Sequence, residues 1–334
     1  MKFNQKTRLA LAAIGLFAAQ MASAQTSLLN VSYDVSREFY KDLNAAFVAQ
    51  YKKSTGKDIK VDQSHAGSSA QARAVADGLE ADVVTMNTTT DVEFLASKGV
   101  VAADWAKRFP HSAAPTTSTM LFLVRNGNPK GIKDWDDLTK PGIQVVVVNP
   151  KTGGNGRMAY LAAWGSVRAK GGTDAQAAEF VGKLYKNVPV LARGGRDATG
   201  IFLQRNIGDV LVTFESEVVS VDKEFGAGKV DAIHPSASIV AENPVTIVER
   251  TVAKKGTATE AKAYLDFLYS DEGQEIAAKH NIRPRNEAIL KKYSNALRPI
   301  KLFTVNEYFG SLAEAQKVHF NDGGQFDKLY TVGK

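Results

Sequence analysis

The stretch Asn149-Pro150-Lys151-Thr152-Gly153-Gly154-Asn155-Gly156-Arg157 places three glycines in four residues between an apolar run and a helix-forming run. Glycine lets a backbone take positive φ and lets another group approach it closely. A helix that starts there leaves its first N–H groups without partners, and such a start attracts an anion. A tight strand-to-helix connection with no ligand would use the same residues, since glycine turns are common in α/β proteins. The device recurs, however, at Ser64-His65-Ala66-Gly67-Ser68-Ser69 and at Arg193-Gly194-Gly195-Arg196-Asp197-Ala198-Thr199. Oxyanion binding by backbone amides and hydroxyls is the chemistry these junctions support. Apart from Asp34 they are poor in acceptors, which favours a permanently deprotonated oxyanion over phosphate.

Other chemistries find fewer residues. The five histidines, His65, His111, His234, His280 and His319, include no pair at helical metal-ligand spacing, and there is no cysteine. No metal, cofactor or disulfide is expected. Ser64, His65 and Ser68 resemble parts of a triad, but no serine lies in a G-x-S-x-G elbow, and serines capping a helix are the preferred reading. Asp134, Asp136 and Asp137 around Trp135 read as a solvated helix cap. Glu215 and Glu217 at a strand end could form an acid/base pair, although structural pairing with Arg193 or Arg196 is preferred. The glycine turn has neither the lysine and hydroxyl of a P-loop nor the dinucleotide spacing. No catalytic residue is assigned.

The elements that must position these turns alternate. Val145–Val148 has the length and β-branching of a fully buried strand, and Met158, Leu161, Ala162 and Gly165 then share one face of a helix. Leu28–Tyr33, Ile59–Asp62, Asp82–Met86, Thr119–Arg125, Val188–Leu191 and Asp209–Phe214 read as further strands. A helix carries Phe39, Leu43, Phe47 and Tyr51 on one side, with Asp34 or Ser36 as its cap. Two helices follow Val248, one on Ala263–Leu268 and one across Ile276, and a last helix spans roughly Ala313 to Phe320. Alternation of this kind predicts parallel sheets covered on both sides, with a ligand beyond the carboxyl ends of the strands.

Lys2, Lys6 and Arg8, an apolar run and Ala22-Ser23-Ala24 have the layout of a cleavable secretory signal, residues 1–24, with cleavage expected after Ala24. Removing three cations and no acid takes the formal charge from +7 to +4. The basic residues form no stripe, so nucleic acid is not an expected partner.

Ser32-Tyr33-Asp34-Val35-Ser36-Arg37-Glu38, Ser64–Ser69, Asn149–Arg157, Gly208–Leu211 and Tyr269–Ala277 closely resemble the periplasmic sulfate- and thiosulfate-binding proteins of ABC importers. The resemblance covers essentially the whole mature chain. It implies an α/β, two-lobed type II periplasmic binding fold, each lobe a mostly parallel sheet flanked by helices, with a hinge between them. The expected division is 25–118 with 238–300 for lobe I, 119–237 for lobe II, and a C-terminal helical segment at 301–334. It further implies an exported monomer that carries sulfate or thiosulfate to a membrane permease.

Carried onto this chain, the main-chain donors would be Asp34 and Ser68 from the first lobe and Gly154, Asn155 and Gly195 from the second, with Arg196 bracing the loop. Two positions depart from the sulfate-type pattern. Gly153 stands in place of a serine and Phe214 in place of an indole donor. Val84–Asn87 and Thr213–Glu217 resemble the thiosulfate-type members more. Asn87, Thr88 or Thr152 is expected to supply the missing hydrogen bond. The alternatives are an exported enzyme acting on a sulfated or phosphorylated small molecule, or a carrier for phosphate or molybdate.

Overall fold

The computed structural model describes residues 25–330, so the expected signal sequence lies outside the described residues. Strand β1 (Thr26–Tyr33) runs through a single 3-10 turn, Asp34–Ser36, into α1 (Arg37–Thr55). Phe39, Leu43, Phe47 and Tyr51 recur every four residues along α1 and are buried on one face. Gly56 ends the helix: at φ +74° it donates its N–H to the Lys52 carbonyl. There follow β2 (Ile59–Ala66), α2 (Ser68–Ala76), β3 (Val83–Thr85) and α3 (Thr89–Ser97). β1 is parallel to β2 and β3, with Tyr33 opposite Ala66 and Ser32 opposite Thr85. That register brings three strand ends level, and with them the turns beginning at Asp34, Gly67 and Met86.

β4 (Thr116–Ser118) leaves this lobe and β5 (Met120–Arg125) enters the second. There, β6 (Val145–Val148), α4 (Gly154–Ala169), α5 (Asp174–Lys186), β7 (Leu191–Ala192), α6 (Gly195–Leu203), β8 (Val210–Phe214), α7 (Glu217–Phe225) and β9 (Val230–Ile233) build a sheet in the order β7-β6-β8-β5-β9. Val145 and Val147 join a core cluster with Trp135 and Tyr160, whereas Val146 and Val148 join another with Ala198 and Phe202. Both faces are covered, so both sets of the four-valine run are apolar. The pairs of β6 with β7 and β8 are parallel, while β5 is antiparallel to β8 and β9. Parallel pairing needs a crossover helix, which α4, α5 and α6 supply; β5 enters directly from the other lobe.

The chain returns through β10 (Ala237–Ile239), β11 (Ala241–Asn243) and β12 (Val245–Ile247), the last of which joins the first sheet beside β3. β11 pairs with β4, so the outgoing and returning segments run side by side. Buried side chains tie them: Thr119 Oγ1 donates to the Ile239 carbonyl at 2.8 Å, Ser238 Oγ to Met120 at 2.9 Å, and Asn243 Nδ2 to Thr116 Oγ1 at 3.0 Å. Where two helices are expected after Val248, the structure has more: α8 (Glu249–Lys255), α9 (Ala258–Phe267) and α10 (Asp271–Lys279) follow in succession, and Glu287–Lys292 forms a further one beyond them. α8 is short and ends at Gly256 with φ +71°, too brief to show a clear period. β13 (Arg283–Pro284) pairs with β4, and β14 (Lys301–Phe303) pairs with β10, a further connection between the lobes. Beyond it, Phe309, Phe320 and Phe326 pack into the second lobe's core, and Phe303 lies so close over Gly165 that a Cβ there would overlap its ring.

Asp134 caps the turn Trp135–Thr139, as the sequence predicts. The expected partners of the acids at the end of β8 are corrected. Glu215 accepts two hydrogen bonds from Arg283, Nε at 2.6 Å and Nη2 at 2.7 Å, which joins β8 to β13. Arg193 instead meets Asp197 at 3.5 Å, and Arg196 meets Glu224 at 2.6 Å. Glu215 emerges where β8 reaches the hinge strands, a proximity set by topology. Glu217 is fully buried and accepts from Thr199 Oγ1 at 2.5 Å. Burial pushes its carboxyl up to about 7, with the charge of Asp34 adding to the rise and Arg196 opposing it.

Two outcomes follow from these acids. Arg283→Met leaves the Glu215 carboxylate buried without its counterion and lowers unfolding free energy by about 3–5 kcal/mol, read from denaturant unfolding, with Glu215→Gln added recovering most of the loss. Glu217 binds its proton more tightly folded than unfolded, so its contribution to stability is full below the ordinary carboxyl range near 4.5 and is lost as pH rises to about 7. Glu217→Gln flattens that part of the stability profile and raises stability in mildly alkaline buffer by up to about 3 kcal/mol.

Candidate functional site

The strand ends of the two sheets face each other, and the turns between strand and helix form the seam. In the first lobe α2 starts at Ser68 after Gly67, and its first carbonyl acceptor, Gly67, takes the N–H groups of Ala70 at 2.8 Å and Gln71 at 3.0 Å. The N–H groups of Ser68 and Ser69 come ahead of those bonds and have no carbonyl within the helix. In the second lobe Asn149 organises the glycine turn. Its carbonyl accepts from Thr152 and Gly153, each at 3.1 Å, and its side chain accepts from Lys151 at 2.9 Å. The first bond of α4 is Arg157 N–H to Gly153 O at 3.1 Å, so the amides of Gly154, Asn155 and Gly156 stand free of the helix's own carbonyls. At α6 the first bond is Ala198 N–H to Gly194 O at 3.0 Å, which leaves Gly195 in the same condition.

Glycine is required where these turns touch. A Cβ on Gly154 would run into Asn87 Oδ1 and the Thr88 methyl group, across the seam. One on Gly195 would stand 2.6 Å from Val35 Cγ1 and one on Gly156 2.5 Å from the Val148 carbonyl. The first two contacts join the lobes; the third seats α4 on its strand.

The structure thus brings Asp34, Ser68, Asn87, Gly154, Asn155, Gly195 and Arg196 to one seam. The Asp34 carboxylate accepts from Val35 N–H at 2.9 Å and, across the lobes, from Arg196 N–H at 3.3 Å. Burial raises its pKa, and the amides of Arg196 and Val35 oppose the rise. Arg196 reaches away to Glu224 with its guanidinium. Gly153 is the cap residue of α4, but its own N–H is taken by Asn149. Phe214 is buried in the apolar cluster that contains Tyr33 and Val35. Thr152 is exposed, and its hydroxyl donates back to Asn149 O at 3.3 Å, away from the seam. Thr88 caps α3, accepting from Thr90 N–H at 3.1 Å.

The capping expected of Asp34, Ser36 and Ser68 does not occur. Ser36 Oγ donates to the Tyr33 carbonyl at 2.6 Å. Ser68 Oγ accepts from Asn87 N–H at 3.4 Å and lies 3.5 Å from Met86 Sδ. The 3-10 turn and the glycine before each helix displace these side chains from cap geometry. His65 Nδ1 meets the Tyr33 carbonyl at 2.9 Å, so the triad arrangement is absent from these residues. Glu215 and Glu217 are committed to Arg283 and Thr199.

Sequence reasoning missed Arg157. It lies one helical turn beyond Gly154, and its largely buried guanidinium donates to Ser69 Oγ at 2.5 Å in the first lobe and to Gln316 Oε1 at 2.9 Å in the C-terminal segment. Ser69 in turn donates to Asp91 at 2.8 Å. Helical spacing from Gly154 was the available signal. Lys223 adds a second bridge across the lobes, to Asp42 at 3.5 Å. The arrangement offers N–H groups from three helix starts to a small anion, with cations held at the rim; each start contributes up to about 2 kcal/mol to a partly buried negative charge.

Residues 30–283 match the bacterial extracellular solute-binding protein family. The chain is 53% identical to a thiosulfate-binding protein of Pseudomonas aeruginosa, covering 96% of this chain and 97% of that one. It is 49% identical to a sulfate-binding protein of Escherichia coli, over 94% of this chain and 96% of the relative. Among solved structures, the sulfate-binding protein SubI from Mycobacterium tuberculosis superposes with a TM-score of 0.80 at 30% identity, covering 89% of this chain and all of that one. Level strand ends, facing helix starts and a hinge of paired crossings are the two-lobed architecture of such proteins, and this chain belongs to the bacterial extracellular solute-binding protein family.

Proposed function

We propose that this protein is an extracytoplasmic carrier that captures thiosulfate or sulfate between its lobes and delivers it to an ABC import permease. The observation that carries the reading is the meeting of free helix-start amides from both lobes at glycines that admit no side chain. A dianion taken out of water needs every oxygen satisfied, and convergent amides meet that need without a formal countercharge. The amides of Asp34, Ser68, Gly154, Asn155 and Gly195 are the proposed donors. Asn87, at 4% exposure on the opposite wall from Gly154, is the side chain best placed to add to them. The names of the relatives support the choice of anion.

The remaining parts of the reading are export to the periplasm after cleavage at Ala24, action as a monomer, and only transient contact with the permease. Among the described residues no helix is long and apolar enough to cross a membrane, which accords with a carrier and a separate permease. Arg157 and Lys223 would hold the lobes together once the guest is in place. The enzymatic alternative relied on Glu215 and Glu217, and both are buried in structural bonds.

Isothermal titration of ligand-stripped protein with thiosulfate, sulfate, phosphate and molybdate tests the choice of guest. Thiosulfate and sulfate are expected to give saturable heats, and the other two at least about tenfold weaker binding, a difference of 1.4 kcal/mol. Equal affinity for all four, or heat from none, would defeat the proposal. Gly154→Val tests the seam. Its side chain meets Asn87 and Thr88 only when the lobes are together, so affinity is expected to fall by about a hundredfold or more, at roughly 1.4 kcal/mol per tenfold. Small-angle scattering should then show no compaction on adding thiosulfate, while the melting temperature of the unliganded protein changes little.

A further inference from the structure

The C-terminal segment reaches back to the glycine turn at the rim of the seam. Three residues before Gly154, Lys151 Nζ donates to Asp327 Oδ2 at 2.7 Å and to Asp322 Oδ1 at 2.9 Å. Three residues after it, Arg157 Nη1 donates to Gln316 Oε1 at 2.9 Å. The segment thus holds the turn on both sides. Asp327 lies in the short helix Gln325–Leu329 and also accepts from the Gly323 N–H at 2.8 Å, which fixes its carboxylate. Phe320 and Phe326 seat the segment by packing edge-on against Tyr160, in the middle of α4, with ring centroids 5.1 and 6.1 Å away. The lysine's own N–H goes elsewhere, to the Asn149 side chain.

Three of the four residues from Gly153 to Gly156 are glycine, and glycine loses more conformational freedom on being ordered than any other residue. A guest that had to order this turn would bind more weakly by that cost; a turn ordered beforehand presents its amides already aimed. We propose that Lys151 is a positioning residue for anion binding, its ammonium splinting the glycine turn to Asp322 and Asp327 of the C-terminal segment so that the amides of Gly154 and Asn155 are set before the guest arrives. This rests on the anion-binding reading above and adds to it a residue that acts through the backbone. Charge attraction is a different role for the same lysine, and the two roles predict opposite signs. One cation between two acids is outnumbered, so a purely electrostatic lysine attracts an anion better once the acids are gone. A splinting lysine loses its hold.

Asp322→Asn together with Asp327→Asn removes both acids. Calorimetry is expected to show thiosulfate and sulfate bound about three- to fivefold more weakly than by wild type, the size that a partly exposed ion pair carries. Lys151→Met gives a similar loss and, placed in the acid-free background, adds little to it; Lys151→Arg, which keeps the pair, stays within about twofold of wild type. In the ligand-free protein, the backbone amide order parameters of Gly153, Gly154 and Gly156 fall in the acid-free variant and recover when thiosulfate is added. Circular dichroism and melting temperature establish that each variant is folded; should the acid-free variant fail to fold, Lys151→Met against Lys151→Arg, with the same order parameters, carries the test. Acid-free protein that binds either dianion as tightly as wild type or more tightly, or whose turn amides keep wild-type order, would overturn the inference and leave the carrier reading intact. Wild-type protein that binds neither dianion would bring down both.

Discussion

The first-turn N–H groups of a helix cannot be satisfied by carbonyls of their own helix, and this protein gathers three such starts at one place. α2 arrives from one sheet, α4 and α6 from the other, and each follows directly on the carboxyl end of a parallel strand. Most proteins deal with these groups by capping them with a side chain. Here the cap positions of all three helices are glycine, Gly67, Gly153 and Gly194, and none makes a side-chain cap bond. Donors that could have been satisfied locally are left facing the opposite lobe.

The absence of caps and the tightness of the seam have one cause. A serine or aspartate at a cap would occupy the space between the lobes and accept the N–H that a guest could otherwise use. Asp34 shows what such competition looks like, because its carboxylate already takes the amide of Arg196 across the seam. Burial makes that charge expensive, and the upward push on its pKa expresses the expense. Glu217 lies behind it, fully buried and raised to about 7, so near neutrality part of the negative charge at the back of α6 is already cancelled by a proton. A small anion near α6 meets less repulsion than the count of acids suggests.

Much of this was legible in the sequence because it is local. The four valines, the period of Phe39, Leu43, Phe47 and Tyr51, and the glycine turns each depend on residues a few positions apart, and each forms the element expected. Ser68 and Gly195 lie 127 positions apart, with Gly154 between them, yet a rule about parallel strand ends was enough to bring all three to one seam. What could not be read was pairing between distant elements. Arg283 reaches Glu215 only because β13 lies beside β4, and neither strand is longer than three residues. The cap expectations for Asp34, Ser36 and Ser68 failed for a different reason: residue type was right, but the 3-10 turn and the preceding glycine set a backbone course that a propensity cannot supply. Arg157 was visible as a residue but not as a bridge, since its partners Ser69 and Gln316 belong to segments far apart in the chain.

The hinge and the seam divide the work according to what each must do when the lobes move. At the hinge, Thr119, Ser238, Asn243 and the Glu215–Arg283 pair are buried and bonded within or between paired strands, so they hold whether the lobes are together or apart. Across the seam the contacts are fewer and of another kind: Arg157 to Ser69, Lys223 to Asp42, Asp34 to the Arg196 amide, and glycine against Asn87 and Val35. Beside them, Tyr33 and Val35 of the first lobe reach the second lobe's apolar cluster next to Phe214. Had the whole seam been as apolar as the core clusters on either side, closing would be driven by burial alone and would need no guest. Polar contacts that water can replace give closing little advantage by themselves, and the free amides at the helix starts then become the groups whose satisfaction decides it.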